Sequence, residues 1–127
     1  MHENEISDVI IGTCIDIHQK LGPGLLESVY EKILKYELIK KGLVVESQKD
    51  IELIWDHNKI GVAFRADIIV EEKVIVELKA VQSIDPVHKK QLLTYLRVTG
   101  LKLGLLINFN KDFLRNGVVR IVNGLDT

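Results

Sequence analysis

Cysteine is nearly missing from this 127-residue chain: Cys14 stands alone, which excludes an intrachain disulfide and a cysteine-cluster zinc site. A reducing compartment suits such a chain. Long apolar runs are missing as well. No segment approaches the ~20 apolar residues of a membrane span, and the N-terminus has no basic region leading into a long apolar stretch. The expected location is the cytoplasm, with no membrane partner. Net charge is only −1, which argues against a protein that grips nucleic acid by general electrostatics alone. Acids are absent between Pro86 and Lys111, where Lys89, Lys90, Arg97, Lys102 and Lys111 fall. A basic face beside a functional site and an ordinary solvated helix face fit that stretch equally. Repeats, low-complexity tracts and linkers are also lacking. At 46% hydrophobic, residues 1–127 are enough to bury one core and are expected to form a single domain.

What is present begins with two amphipathic segments. Ile6, Val9, Ile10, Cys14, Ile17 and Leu21 make the stripe of a first helix, which stops at Gly22-Pro23-Gly24. A second helix is expected from about Leu25 to Lys41, with Gly42 as its stop. Its polar arc holds Ser28, Glu31, Lys32 and Lys35. Glu27 lies instead in line with Tyr30, Leu34 and Leu38, so its carboxylate is expected to run along the packed stripe. A buried acid needs a hydrogen bond, a proton or a cation. The alternative is a first-turn Glu that favours the helix dipole, worth ~0.3–1 kcal/mol. His18, at the edge of the first stripe beside Ile11, reads more readily as a packed histidine than as a metal ligand.

The most informative residues lie in two apolar, β-branched runs, Val62–Val70 and Val74–Ala80, each with the composition of a strand. Their connection, Glu71-Glu72-Lys73, contains no Gly or Asn, so a three-residue loop is expected rather than a two-residue primed turn. Val70 then opposes Val74. Counting along an antiparallel ladder from that pair sets Asp67 opposite Glu77, and alternation puts Lys79 on the face of Glu77. Like charges directly opposed, with Cβ atoms ~5 Å apart, destabilise a sheet. Something cationic is required between them. A hard divalent ion with oxygen ligands meets that need, and Lys79 is placed to hold a phosphate oxygen or a water. The competing reading is an edge hairpin with solvated charges. A glycosidase acid pair is a further reading, disfavoured by Lys79 and the small open sheet.

Elsewhere, a strand is expected from Val44 to Trp55, followed by a turn at Asp56-His57-Asn58-Lys59. Asp85 and Pro86 open a helix that ends near Thr99, before Gly100. His88, Gln91 and Tyr95 share one side of it, where Gln91 and Tyr95 are placed to bind a substrate or a lysine; a Tyr buried with its hydroxyl at the rim fits equally. Lys102–Phe109 is a nearly continuous apolar run suited to a central strand. Asn116-Gly117 marks a turn before a last strand, Val118–Val122. The expected fold is α/β, a mixed sheet flanked by helices, in the order helix, helix, three-strand meander, helix, strand, short strand.

Gly24-Leu25-Leu26-Glu27-Ser28-Val29-Tyr30 reads as Gly-x-x-Glu-x-x-Tyr. Together with Arg65-Ala66-Asp67, Glu77-Leu78-Lys79 and Gln91-Leu92-Leu93-Thr94-Tyr95, in that order, it resembles the GxxExxY proteins, a branch of the PD-(D/E)XK nuclease superfamily. The likeness runs from about His18 to Val122, with Ala66 where the superfamily often has proline. It implies a restriction-endonuclease-like core and Mg²⁺ or Mn²⁺ on Asp67 and Glu77, with Glu27 completing or orienting the metal shell. It also implies Lys79 positioning the attacking water, and Gln91, Tyr95 and Tyr30 placing lysine and substrate; His18 and Arg65 are additional candidates. The expected activity is hydrolysis of nucleic-acid phosphodiesters, with DNA as the polymer. The alternative is an inactive nuclease-fold module that binds nucleic acid or a protein partner. So small a chain has little surface to grip a duplex, and a homodimer or partner protein is a reasonable expectation.

Overall fold

In the computed structural model, which describes residues 1–126, three helices flank a five-stranded sheet in the order β1-β2-β3-β4-β5. The helices are α1 (Glu3–Leu21), α2 (Glu27–Lys40) and α3 (Pro86–Thr99). The strands are β1 (Val45–Trp55), β2 (Asn58–Val70), β3 (Val74–Lys79), β4 (Leu103–Asn108) and β5 (Val118–Val122). β1, β2 and β3 form an antiparallel meander, β4 joins β3 in parallel after the α3 crossover, and β5 returns antiparallel. The sheet is therefore mixed, as the element order implies. Among the described residues no helix is long and apolar enough to cross a membrane.

Two cores result. α1 and α2 cover one face, where Ile6, Ile10, Cys14, Tyr30 and Leu34 pack against Ile68, Val70, Val74, Val76 and Leu78. α3 covers the other, where Leu92 and Leu96 pack against Phe64, Ala66, Ile69, Ile75 and Leu106. Gly104 in β4 makes the second contact close: a Cβ there would stand 2.8 Å from Leu92 Cγ. Strand alternation fails within β2. Phe64 and Ala66 face α3, whereas Ile68 and Val70, of the same parity, face α1 and α2. The inversion falls around Asp67.

Boundaries differ from the sequence reading for local reasons. α1 starts at Glu3, before its apolar stripe, because His2 and Glu5 form a capping box: His2 Nδ1 accepts from Asn4 N at 2.9 Å and Glu5 Oε1 from His2 N at 3.1 Å. β2 begins at Asn58 rather than Val62. Asp56 and His57, with φ of 49° and 64°, make a two-residue turn, so Trp55 pairs with Asn58 and the ribbon continues to its tip. The β2–β3 loop has the expected three residues. Its first two nonetheless adopt the conformation that their identities disfavour: Glu71 and Glu72 have φ of 54° and 55°, and Lys73 N donates to Val70 O at 3.0 Å. Glu71 is held there by Val44, which accepts from Glu71 N at 2.8 Å and donates its own N–H to Glu71 Oε2 at 2.7 Å.

Candidate active site

The register derived from Val70 opposite Val74 is observed for Ile69 opposite Ile75 and Ile68 opposite Val76, but it stops one pair short of the expected opposition of Asp67 and Glu77. There the ladder ends and the strands part. In the fork, the Asp67 side chain takes over a strand's role: Oδ2 accepts the Leu78 N–H at 3.1 Å. On its other side, Asp67 falls opposite Gln48, between the pairs Ser47–Ile68 and Lys49–Ala66. Gln48 has φ of 50°, a left-handed conformation rare for a non-glycine residue within a strand. Strain of this kind concentrates at functional sites.

Beside the fork lies a cleft of about 270 Å³ lined by Glu27, Arg65, Asp67, Glu77, Lys79, His88, Gln91, Leu92, Tyr95 and Leu106. Glu77 is only 8% exposed, and its Oε1 has no hydrogen-bond partner. Burial pushes its pKa up to about 9, reinforced by the Asp67 carboxyl beside it and only partly offset by Lys79. Without a cation, Glu77 therefore keeps a proton at neutral pH. Across the cleft, Tyr95 stacks on Phe64 with ring centroids 3.7 Å apart and planes 2° from parallel. Burial raises its hydroxyl pKa, the charges of Glu77 and Asp67 raise it further, and Gln91 beside it pulls the other way.

Glu27 reaches the site from the start of α2, but it does so from an exposed position, contrary to the expectation of a buried carboxylate. Its Oε1 accepts the Ala80 N–H at 3.1 Å, just beyond Lys79. Tyr30, Leu34 and Leu38 are buried below it. Arg65 is exposed, and its Nε donates to Asp50 Oδ1 at 2.8 Å.

Two of the sequence candidates stand outside the cleft. Tyr30 is fully buried and stacks on Phe109 at 4.2 Å. Its hydroxyl donates to Gly22 O at 2.6 Å and accepts from Leu25 N at 3.2 Å. Tyr30 thus latches the turn that launches α2, one helical turn from Glu27, and does not touch the space a substrate would fill. His18 is buried on the other side of that turn, where its Nε2 donates to Lys111 O at 2.7 Å. The histidine that does line the cleft is His88, whose Nδ1 accepts the Asp85 N–H at 3.3 Å at the head of α3.

Asn108 is a supporting residue that the sequence reading passed over. It is fully buried at the end of β4, opposite Lys79. Its Nδ2 donates to Val81 O at 2.8 Å, and its Oδ1 accepts from Val81 N and Asn110 N, each at 3.1 Å. The segment after Lys79 is clamped by these bonds. A lone amide in the run Leu103–Phe109 was the available signal, because a buried polar side chain must find partners.

The donor set suits a hard cation. Asp67 and Glu77 present carboxylate oxygens to one cleft, and the buried, unpartnered Glu77 Oε1 is an acceptor waiting for a positive group. Among the described residues, however, no three His, Cys, Asp or Glu side chains converge into a ready-made cage.

A helix-flanked mixed sheet with an acid, acid and lysine at a strand fork defines the restriction-endonuclease-like class of folds. The profile of the PD-(D/E)XK nuclease superfamily matches residues 4–121, and the chain belongs to that superfamily. No curated protein matches it. Among solved structures, one described as "Crystal structure of SSO0001" is similar in fold, with a TM-score of 0.57 and 22% identity. That similarity covers 78% of this chain and 50% of the other, so the chain spans half the length of that protein.

Proposed function

We propose that this chain is a metal-dependent nuclease of the GxxExxY branch, hydrolysing phosphodiester bonds in nucleic acid, with DNA as the polymer. The observation that carries the reading is the buried Glu77 carboxyl, whose Oε1 has no hydrogen-bond partner, beside Asp67 and Lys79. Superfamily membership supports it, since such nucleases typically use divalent metal ions. Gly24, Glu27 and Tyr30 support the branch: Tyr30 latches the turn and Glu27 reaches the strand end.

In this reading Asp67 and Glu77 would hold Mg²⁺ or Mn²⁺, while Glu27 fixes the strand end at Ala80 and would complete or orient the metal shell. The bound cation supplies Lewis-acid polarisation of the phosphate and a water of lowered pKa. Lys79, lining the same cleft, would donate to a phosphate oxygen or to the attacking water. Arg65, with Nε committed to Asp50, offers its terminal nitrogens to the phosphate backbone. Gln91 and Tyr95 hold the substrate against the opposite wall. A cytoplasmic location belongs to the proposal, supported by the lone, buried Cys14.

The test is incubation of the purified protein with plasmid, single-stranded DNA and RNA in Mg²⁺, Mn²⁺ or EDTA. Metal-dependent cleavage that disappears in Glu77→Gln is expected. One observation favours a second reading, a binding module without turnover: no three-ligand cage exists among the described residues. Binding of these polymers with no cleavage in either metal would establish that reading instead.

A further inference from the structure

Every residue from Ile54 to Ala63, the outer part of the β1–β2 ribbon, is exposed. Ile54, Trp55, Ile60 and Val62 are exposed by 53%, 65%, 61% and 57%, although β-branched and aromatic side chains of this size normally find cover. A two-stranded ribbon in water is marginal by itself. β3 pairs with β2 only at Ile68–Val70, so the outer ribbon has no third strand behind it.

The register decides which side chains share a face. Glu52 pairs with Val62 and Ile54 with Lys59, and cross-strand partners project together. Glu52 and Ile54 are two apart on one strand, so both pairs share a face. Leu53 with Gly61 and Trp55 with Asn58 occupy the other. Ile60 is the extra residue at the irregularity between Leu53 and Ile54, next to Lys59. One face of the arm is therefore an apolar patch of Ile54, Ile60 and Val62, with an acid, Glu52, toward its base and a base, Lys59, toward its tip.

We propose that this face is a docking surface for a second copy of the chain, with the two arms packed face to face and antiparallel across a two-fold axis. Antiparallel packing sets the base of one arm against the tip of the other. Glu52 of each copy then meets Lys59 of the other, and the apolar centres meet on the axis. Charge favours a protein occupant over nucleic acid: the ribbon from Glu52 to Val62 carries Glu52 and Asp56 against Lys59, a net negative surface unsuited to phosphates. Edge-to-edge pairing is disfavoured, because the extra residues Ala63 and Ile60 bulge β2 at Ile51/Glu52 and Leu53/Ile54 and so twist the ribbon. Two patches of this size bury roughly 800–1,000 Å² together, below the range of stable specific interfaces and in that of transient ones, so the dimer is expected to be weak, with Kd in the micromolar range or above.

Sedimentation of the chain from about 5 to 500 µM, without metal or nucleic acid, tests the surface independently of any nuclease activity. A concentration-dependent monomer–dimer equilibrium is expected. Ile60→Lys should weaken it by about 30-fold or more without lowering the thermal midpoint, since the residue is largely exposed and belongs to neither core. Glu52→Lys and Lys59→Glu should each weaken self-association. An equimolar mixture of these two variants should restore it, because both cross-contacts regain opposite charges. A chain that stays monomeric to 500 µM, or a dimer indifferent to Ile60→Lys and to the charge exchange, would overturn the proposal. So would a monomer whose Ile60→Lys form has lost affinity for nucleic acid, which would assign the arm to that ligand.

Discussion

Glu77 is the residue on which most turns, and its protonation has a consequence for stability. Its folded pKa of about 9 lies above the ordinary 4.5, so the folded chain binds more protons than the unfolded chain between those values. The stabilisation is full below the ordinary value and is lost as pH rises through the folded value. Without metal, the wild type should lose on the order of 3–4 kcal/mol of stability between pH 5 and pH 8 from this group. Glu77→Gln should flatten that slope, which denaturant titrations at several pH values will measure. Lys79→Ala should do the opposite, lowering apo stability by about 1 kcal/mol at alkaline pH, where Glu77 is ionised and loses its nearby cation. Tyr30 makes a separate prediction. Tyr30→Phe removes the bonds to Gly22 O and Leu25 N, and should cost about 1–2 kcal/mol in the same titrations. It should also lower turnover through Glu27 while leaving the substrate's KM little changed, as suits a residue outside the cleft. The carboxylates and the lysine were legible in the sequence because they interrupt apolar runs. Tyr30's latch was not, because its partners are backbone atoms of a turn whose path depends on the packed helix.

At the scale of elements, the β2–β3 hairpin shows how a correct register can rest on an unexpected turn. The apolar runs fixed Val70 opposite Val74, since a slip of one residue would turn every core side chain outward. Turn chemistry is decided locally, and Glu71 and Glu72 take left-handed φ although neither is Gly or Asn. Glu71 is compensated by its two bonds to Val44, whereas Glu72 is exposed. Glu72→Gly should therefore stabilise the chain by about 0.5–1 kcal/mol, read as a rise in the denaturation midpoint. The early start of β2 was equally hidden, because Asp56-His57 is a weak advertisement for a two-residue turn. The inversion of β2 around Asp67 lies beyond any period-two reading, and it coincides with the left-handed Gln48 in the neighbouring strand. Gln48 in turn donates to Glu31 Oε1 at 2.7 Å, tying that irregularity to α2 one turn beyond Glu27.

Over the whole molecule, element order and sheet type were readable because each apolar pattern has one period and the breakers stand between them. Lys102–Phe109 is a clear case: its core, Leu103–Asn108, is buried throughout, as a strand covered on both faces must be. The candidate cleft was legible to the same extent, because Asp67, Glu77 and Lys79 were expected on one sheet face and His88, Gln91 and Tyr95 on one side of α3, and the six line one cleft. What sequence periodicity could not foresee was the solvent-standing ribbon from Ile54 to Ala63, since strands there have no buried face to announce. The central claim is that Asp67 and Glu77 form a cation site, and the thermal midpoint with and without millimolar Mg²⁺ or Mn²⁺ addresses it most directly. A ligand that binds only the folded state stabilises by RT ln(1 + [L]/Kd), about 2.7 kcal/mol at one hundred times Kd. Wild type at pH 8 should melt several degrees higher with metal, and Glu77→Gln should melt at or above the apo wild type and respond little. A wild-type midpoint that does not move with either metal, or a Glu77→Gln midpoint that rises as much as the wild type's, would contradict the account.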